Sequence, residues 1–191
     1  YNKLKRTYEA GVRLIEEIKD EIMYLESIIN ALDIATTEND LNNIKEELII
    51  TGYIKKNSKS KSKDNKNNKP LHYISSDGFD MYVGKNNLQN DELTFKFASN
   101  SDWWFHAKQM PGSHVIVKTN GKELPDRTFE EAAALAAYYS KGRDLDKVEV
   151  DYVLKKEVKK PAAAKPGFVV YYTNYSLIAI ADIKGIKEVT G

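Results

Sequence analysis

The first 32 residues carry a heptad pattern, and it constrains the fold of this part of the chain more than any other feature. The pattern alternates spacings of four and three residues through Leu4, Tyr8, Gly11, Ile15, Ile18, Ile22, Leu25, Ile29 and Leu32. Such spacing places one narrow apolar stripe along a helix, and here charged residues fill its flanks. We therefore predict a coiled-coil arm rather than a helix on a globular core, which would need a broader stripe.

A second, shorter helix and a polar linker are predicted to follow the arm. Thr36 or Thr37 can cap this helix. Because the helix is too short to pair with the whole arm, we expect the chain to be a fragment whose upstream part supplies the arm's partner. Residues 56–70 hold no apolar side chain except Pro70, so we predict a solvated tether, with non-specific contact to phosphates as the alternative role of its lysines.

From residue 71 onward, strand and turn patterns replace the heptad. Alternating residues around the Asp77–Gly78 turn predict a hairpin. The alanine-rich run predicts the clearest helix, with Thr128 as its cap and Gly142 as its end. A shorter helix is predicted after Asn86 or Asn87. Further strands are predicted at 103–108, 114–118 and 147–156, followed by a last hairpin around Asn174.

These patterns together predict an α+β protein. Its parts would be a helical coiled-coil arm and a compact mixed-sheet domain with two main helices. The predicted boundaries are 1–55 for the arm and connecting helix, 56–70 for the linker and 71–191 for the domain.

Composition narrows the classes of function. The chain has no cysteine, which excludes disulfides, thiolate chemistry and cysteine-based metal sites. The net charge is +1, and residues 72–191 carry equal numbers of acidic and basic side chains, so any nucleic-acid surface would be a local patch. No apolar run reaches the ~18 residues of a membrane span. Zinc-ligand spacing and a phosphate-binding glycine loop are both lacking, so we predict a non-enzymatic protein without metal or cofactor. The lack of cysteine suits the reducing cytosol, and we predict a cytoplasmic location.

The stretch DWWFHAKQMPGSHVIV, residues 102–117, is the strongest candidate for a binding surface. Side chains alternate between two faces along its first strand. Trp103, Phe105 and Ala107 are predicted to face the core, and Trp104, His106 and Lys108 to face outward. An indole, an imidazole and an ammonium group side by side suit a flat, anionic partner such as RNA, whose bases stack on rings. The alternative is an ordinary hairpin with bulky core residues.

Two loops could add anion-binding groups to this surface. The MPGS segment fits a type II turn with a positive φ at Gly112, and it would turn the amides of Gly112, Ser113 and His114 outward around an anion. The lysine-proline segment 154–167 places Lys159, Lys160 and Lys165 between prolines. A plain structural turn and a solvated charged face are the respective alternatives.

Several stretches resemble the RNA-binding domain of the NFACT family. They are SDGFDMYVGKNNLQNDELTFKFA, DWWFHAKQMPGSHVIV, AAALAAYYSK and VEVDYVLKKEVKKPAAAKPGFVVY, which occur in the family's order over residues 71–181. The helical segment 1–52 is similar to the return limb and connecting helix of the family's central coiled coil. The family's GKN motif falls on Gly84, Lys85 and Asn86, which adds Lys85 to the candidates.

This resemblance implies a function on the ribosome. The family's full-length proteins bind obstructed large ribosomal subunits and support C-terminal alanine tailing of stalled chains, so the expected partners are the large subunit, ribosomal RNA and tRNA. A fibronectin-binding surface adhesin is the alternative, because many members carry that older name. RNA binding would weaken steeply with salt, and fibronectin binding would not. The candidate RNA-binding residues are Lys85, Trp104, His106, Lys108, Gly112, Ser113, His114, Lys159, Lys160 and Lys165.

Overall fold

The computed structural model describes residues 2–56 and 69–190, and it places two helices before a seven-stranded sheet. Most of the predicted tether lies outside the described residues. The helices are α1 (Asn2–Ile34), α2 (Glu38–Ile50), α3 (Asn87–Glu92) and α4 (Asp126–Tyr138). The strands are β1 (Leu71–Ile74), β2 (Asp80–Val83), β3 (Trp103–Ala107), β4 (Val115–Val117), β5 (Val148–Leu154), β6 (Tyr175–Ala179) and β7 (Lys187–Glu188). A π-helical turn, Leu93–Phe97, extends α3, and a 3-10 turn, Lys155–Glu157, follows β5.

The sheet runs in the order β6-β5-β3-β4-β2-β1-β7, and every neighbouring pair is antiparallel. The α+β class is confirmed, although the sheet is antiparallel throughout rather than mixed. The hairpin around Asp77–Gly78 forms as predicted, with Leu71 opposite Val83. The last predicted hairpin is wrong. Residues before β6 form no partner strand, only an isolated bridge between Lys159 and Val170, and β6 pairs with β5 instead.

Alternation along the strands gives the sheet two different faces. The α4 face packs against helix α4 and contains the larger apolar cluster, including Met81, Phe105, Val115 and Val150. The opposite face carries a smaller cluster under the π-helical turn and residues 169–171, and its buried members are Leu93, Trp104, Ile116, Val153 and Val158. We call it the cavity face, because Trp104 of this cluster lines a large cavity. Both faces of the central strands are therefore covered.

Two of the three predicted helix N-terminal caps are found in the structure. Thr37 caps α2 in a capping box with Asp40, and Asn86 caps α3. The predicted cap of α4 is wrong, because this helix begins at Asp126 after Pro125, and Thr128 lies inside it. The Thr128 hydroxyl instead contacts Ser75 Oγ at 3.1 Å. Its polar atoms therefore tie α4 to the first hairpin, a role that the sequence pattern alone does not reveal.

Helix α1 buries one side and exposes another. Its C-terminal half packs on α2 through Tyr24, Ile28 and Ala31, which contact Ile44. The heptad residues remain exposed, for example Leu4 at 78% and Ile29 at 58%. The predicted helix is confirmed, and its pairing in a coiled coil stays a prediction. Among the described residues, no helix is long and apolar enough to cross a membrane.

Polar contacts join α1 and α2 to the sheet domain. Glu47 Oε1 accepts hydrogen bonds from Tyr24 Oη at 3.0 Å and from Asn87 Nδ2 at 2.9 Å. Asn87 Nδ2 also donates to Ser27 Oγ at 2.7 Å. Burial raises the pKa of the Glu47 carboxyl. An ion pair between Lys85 and Asp40 adds a second link. Since these groups come from both parts, the arm is held in a defined position on the domain.

Candidate nucleic-acid interface

Six of the ten candidate residues line a single cavity of about 1010 Å³ on the cavity face. The cavity lies between α1, the loop before β4, β5 and residues 161–172. The candidate residues in its lining are Trp104, His106, Lys108, Gly112, His114 and Lys165. The Pro-Gly bend and the lysine-proline segment, which are distant in sequence, therefore lie together. Lys85, Ser113, Lys159 and Lys160 are not part of this lining.

Trp104 lies beneath the cavity and not on an open surface. Its side chain is 0% exposed, and the expectation that it faces an external partner directly is wrong because the π-helical turn and residues 169–171 cover this face. The His106 ring stacks on the indole with 5.6 Å between centroids, and His114 meets it edge-on at 5.1 Å. Within the described residues, the indole Nε1–H is buried and has no hydrogen-bond partner.

Both cavity histidines are held in the neutral form. Burial lowers the pKa of His106 to about 4 and lowers the pKa of His114 well below its ordinary value. The His114 Nδ1 atom lies 2.8 Å from Thr94 Oγ1. Neutral imidazoles do not attract phosphate by charge. At neutral pH, these rings can therefore act only through stacking and hydrogen bonds.

Most of the candidate lysines already have carboxylate partners. Of the five, Lys159 has no ion pair with any described residue. A paired lysine must share or give up its carboxylate to neutralise a phosphate, so its contribution to RNA affinity is reduced. The pairs are Lys85–Asp40, Lys108–Glu149 at 2.5 Å, Lys160–Asp91 at 2.8 Å and Lys165–Glu21 at 2.5 Å.

The amides after Pro111 do not form the expected anion cradle. Ser113 N donates to Tyr139 O at 2.9 Å, and His114 N donates to Asn90 Oδ1 at 3.0 Å. The predicted type II turn is also wrong, since the positive φ lies at Gln109 and not at Gly112. Gly112 instead permits a close approach. A Cβ at this position would lie 2.9 Å from Ser140 Cβ. The bend is structural, and it joins β4 to the end of α4.

A different surface combines lysines that have no ion pair among the described residues with one exposed ring, Phe97, and one half-buried ring, Phe95. The π-helical turn presents Phe95, Lys96 and Phe97, and the 3-10 turn after β5 presents Lys155 and Lys156 beside it. Lys155 Nζ lies 5.9 Å from the Phe95 ring centroid, and Phe97 is 44% exposed. None of the three lysines has an ion pair within the described residues. We call these five residues the lysine–phenylalanine face.

Sequence reasoning did not select this face, although a signal was present. Phe95-Lys96-Phe97 alternates rings with a cation, but it lies in a segment predicted to be an ordinary helix. The π-helical turn changes which side chains point outward. Ala98 N donates to Leu93 O at 2.8 Å, one residue further along than an α-helix allows. Leu93 is therefore buried, while Lys96 and Phe97 reach the surface.

Comparison with known proteins places the chain among relatives of similar fold. Residues 69–173 match a family described as the NFACT protein RNA binding domain, and residues 1–67 match the NFACT N-terminal and middle domains. A solved structure described as the C-terminal part of the fibronectin/fibrinogen-binding protein from Streptococcus suis has a TM-score of 0.87 and 44% identity. The match covers 98% of this chain and 75% of the chain in that structure.

The curated relatives include proteins named Rqc2 homolog RqcH. The Streptococcus suis protein is 46% identical over 172 residues, which is 90% of this chain and 30% of that protein. The Bacillus subtilis protein is 38% identical over 184 residues, which is 95% of this chain and 32% of that protein. The chain thus spans about a third of the length of these relatives. Since the RNA-binding domain family matches more than half of the chain, the chain belongs to the NFACT family.

Proposed function

We propose that this chain is the RNA-binding module, carried on a coiled-coil arm, of a ribosome-associated quality-control factor. The whole factor would bind obstructed large ribosomal subunits, with ribosomal RNA and tRNA as partners, and would support C-terminal alanine tailing of stalled chains. Membership in the NFACT family and the relatives named RqcH support this proposal. The module itself would act in the cytoplasm by binding and would catalyse no reaction.

The lysine–phenylalanine face is the observation that carries the proposal for RNA. Bases stack on aromatic rings, and each stacked base contributes about 1–3 kcal/mol. Unpaired lysines neutralise phosphates without first breaking an ion pair. Lys159 is exposed, has no ion pair among the described residues and follows the 3-10 turn of this face in the chain, so it is a further candidate for phosphate contact. RNA would therefore cross the π-helical turn towards the end of β5.

The test reverses two charges on this face. We expect Lys96→Glu with Lys156→Glu to weaken the binding of a uridine-rich RNA by about tenfold or more at low salt. The slope of log Kd against log salt should also fall by about 0.7 for each lost phosphate contact. Fluorescence anisotropy with the labelled RNA across a salt series measures both quantities.

A matched control distinguishes local from overall charge. Lys122→Glu with Lys184→Glu makes the same change in net charge at exposed lysines outside the face, so it should alter the affinity little. Equal losses in both variants would show that binding depends on overall charge only. No loss in the first variant would remove the lysine–phenylalanine face from the RNA site.

Fibronectin binding is the second candidate, because the solved neighbour is described as a fibronectin/fibrinogen-binding protein. Apolar side chains on β6 and just after it, Ile178 at 60% and Ile180 at 63% exposure, offer a surface for a protein partner. The same anisotropy experiment with labelled fibronectin separates the two. Affinity for fibronectin that persists at high salt, without affinity for RNA, would favour this candidate.

A further inference from the structure

The cavity beneath the Pro-Gly bend has walls suited to apolar groups. Its volume of about 1010 Å³ is large enough for several side chains. The apolar residues in its walls include Met23, Met110, Pro161, Pro166, Phe168 and Val169. These come from α1, the loop before β4 and residues 161–172. A ligand there would contact three parts of the molecule at once.

The charged groups around the cavity are mainly acidic. Glu17 and Asp20 of α1 are exposed at its rim and have no ion pair within the described residues. Glu21 and Asp151 add two further carboxylates to the lining. The lining also holds Lys165, which pairs with Glu21, and Lys108, which pairs with Glu149 and lies 3.9 Å from Asp151, so the unpaired negative charge is that of Glu17 and Asp20. The two histidines are neutral, so the rim carries an excess of negative charge. A phosphate backbone would meet these carboxylates, whereas a cation would be attracted.

A buried donor supplies an independent sign of a ligand. Trp104 lines the cavity at 0% exposure, and its Nε1–H has no partner within the described residues. Buried indole N–H groups usually have hydrogen-bond partners, because leaving one unpaired costs free energy. A backbone carbonyl group is a suitable acceptor, and an extended peptide presents such groups at regular intervals.

We propose that this cavity binds an extended segment of a partner protein that carries apolar side chains and at least one lysine or arginine. The apolar side chains would occupy the walls, and a peptide carbonyl would accept from Trp104 Nε1. The cation would pair with Glu17 and Asp20 at the rim. This peptide site is distinct from RNA binding at the lysine–phenylalanine face, so either can fail without the other.

The exposed heptad seam of α1 does not compete for this cavity. At 3.6 residues per turn, the rows through Glu17, Asp20 and Tyr24 point about 140° away from the seam row through Ile18, Ile22 and Leu25. A partner helix on the seam would leave the cavity rim open. The arm can therefore take part in a coiled coil and in peptide binding at the same time.

Two-dimensional NMR of the indole N–H groups tests the proposal. The chain has two tryptophans, and Trp103→Phe assigns their cross-peaks. The probe is a pool of short capped peptides with lysine or arginine at two positions and varied apolar residues elsewhere. We expect the Trp104 cross-peak to move downfield on titration, because its N–H gains an acceptor. A pool with glutamate at the same two positions should leave the cross-peak unmoved.

Variants at the rim give the second readout. Glu17→Gln with Asp20→Asn should weaken binding of the basic pool by about three- to tenfold, as expected for two partly exposed charge pairs. The control, Glu9→Gln with Glu16→Gln, makes the same charge change on α1 outside the cavity lining and should leave the affinity unchanged.

Three results would overturn the proposal. In the first, the basic pool fails to move the Trp104 cross-peak. In the second, the basic and glutamate pools bind equally, or the rim variant binds as tightly as its control. In the third, a uridine-rich RNA moves the Trp104 cross-peak and the rim variant binds this RNA more tightly, which would assign the cavity to RNA.

Discussion

The two faces of the sheet differ in how they are closed. The α4 face is covered by one helix rich in alanine, and its central residues, such as Phe105 and Val115, are 0% exposed. The cavity face is covered by short turns and loops, and it contains buried polar groups such as His114 and Thr94. It also retains the cavity and the unpaired indole N–H of Trp104. The α4 face therefore supplies stability, and the cavity face leaves room for ligands.

The largest expected effect comes from the α4 face. Phe105→Ala should lower the free energy of unfolding by about 3–5 kcal/mol, since it removes a fully buried ring from a closed core. Phe97→Ala, on an exposed ring next to the cavity face, should cost less than about 1 kcal/mol. Urea denaturation of both variants measures the difference. Similar losses would mean that the buried ring on the α4 face contributes no more to stability than an exposed ring beside the cavity face.

A second test concerns the bend that borders the cavity. Gly112→Ala places a Cβ 2.9 Å from Ser140 Cβ and should destabilise the domain by about 1–3 kcal/mol. Gly11→Ala is the matched control, because no atom lies within 4 Å of its Cβ and alanine favours a helix by about 1 kcal/mol. Thermal denaturation should show opposite signs for the two changes. A neutral Gly112→Ala would show that the bend tolerates movement.

The pH dependence of stability should originate on the cavity face. His106 and His114 have lowered pKa values when folded, so below pH ~6.5 the unfolded chain takes up protons that the folded chain does not. Stability is thus complete above this pH and is lost as the pH falls towards 4, by about 1.4 kcal/mol per pH unit for each histidine.

The variant His106→Gln removes one of these two groups and should make the loss shallower. Between pH 7.5 and pH 5.5, the variant should therefore lose about 1 kcal/mol less of its free energy of unfolding than the unmodified chain. Urea denaturation at several pH values measures it. An unchanged slope would show that His106 can be protonated in the folded protein.

Features that depend on residues close together in the chain, such as helix caps and strand alternation, could be predicted from the sequence. Each cap was narrowed to two adjacent residues, Thr36 or Thr37 and Asn86 or Asn87, because the capping oxygen and the amide that it accepts from lie a few residues apart, and the structure selects Thr37 and Asn86. Alternation likewise assigned Phe105 to the core. Trp104 was misplaced, because strand alternation shows two faces and does not show that residues 169–171 return to cover the second.

The ion-pair partners of the candidate lysines could not be predicted from the sequence pattern. The partner of Lys165 is Glu21 on α1, and the partner of Lys85 is Asp40 on α2. Counting lysines in a loop cannot reveal pairs formed across such distances in the chain. By contrast, the proximity of the Pro-Gly bend and the lysine-proline segment was predicted, and both line the same cavity.

The most direct measurement compares lysines of the two surfaces in one RNA-binding series. One variant is Lys96→Ala with Lys156→Ala on the lysine–phenylalanine face, and the other is Lys108→Ala with Lys165→Ala at the cavity. The account predicts that the first change weakens RNA binding and flattens its salt dependence, while the second leaves both nearly unchanged. The reverse result, with RNA affinity lost only in the cavity variant, would contradict it.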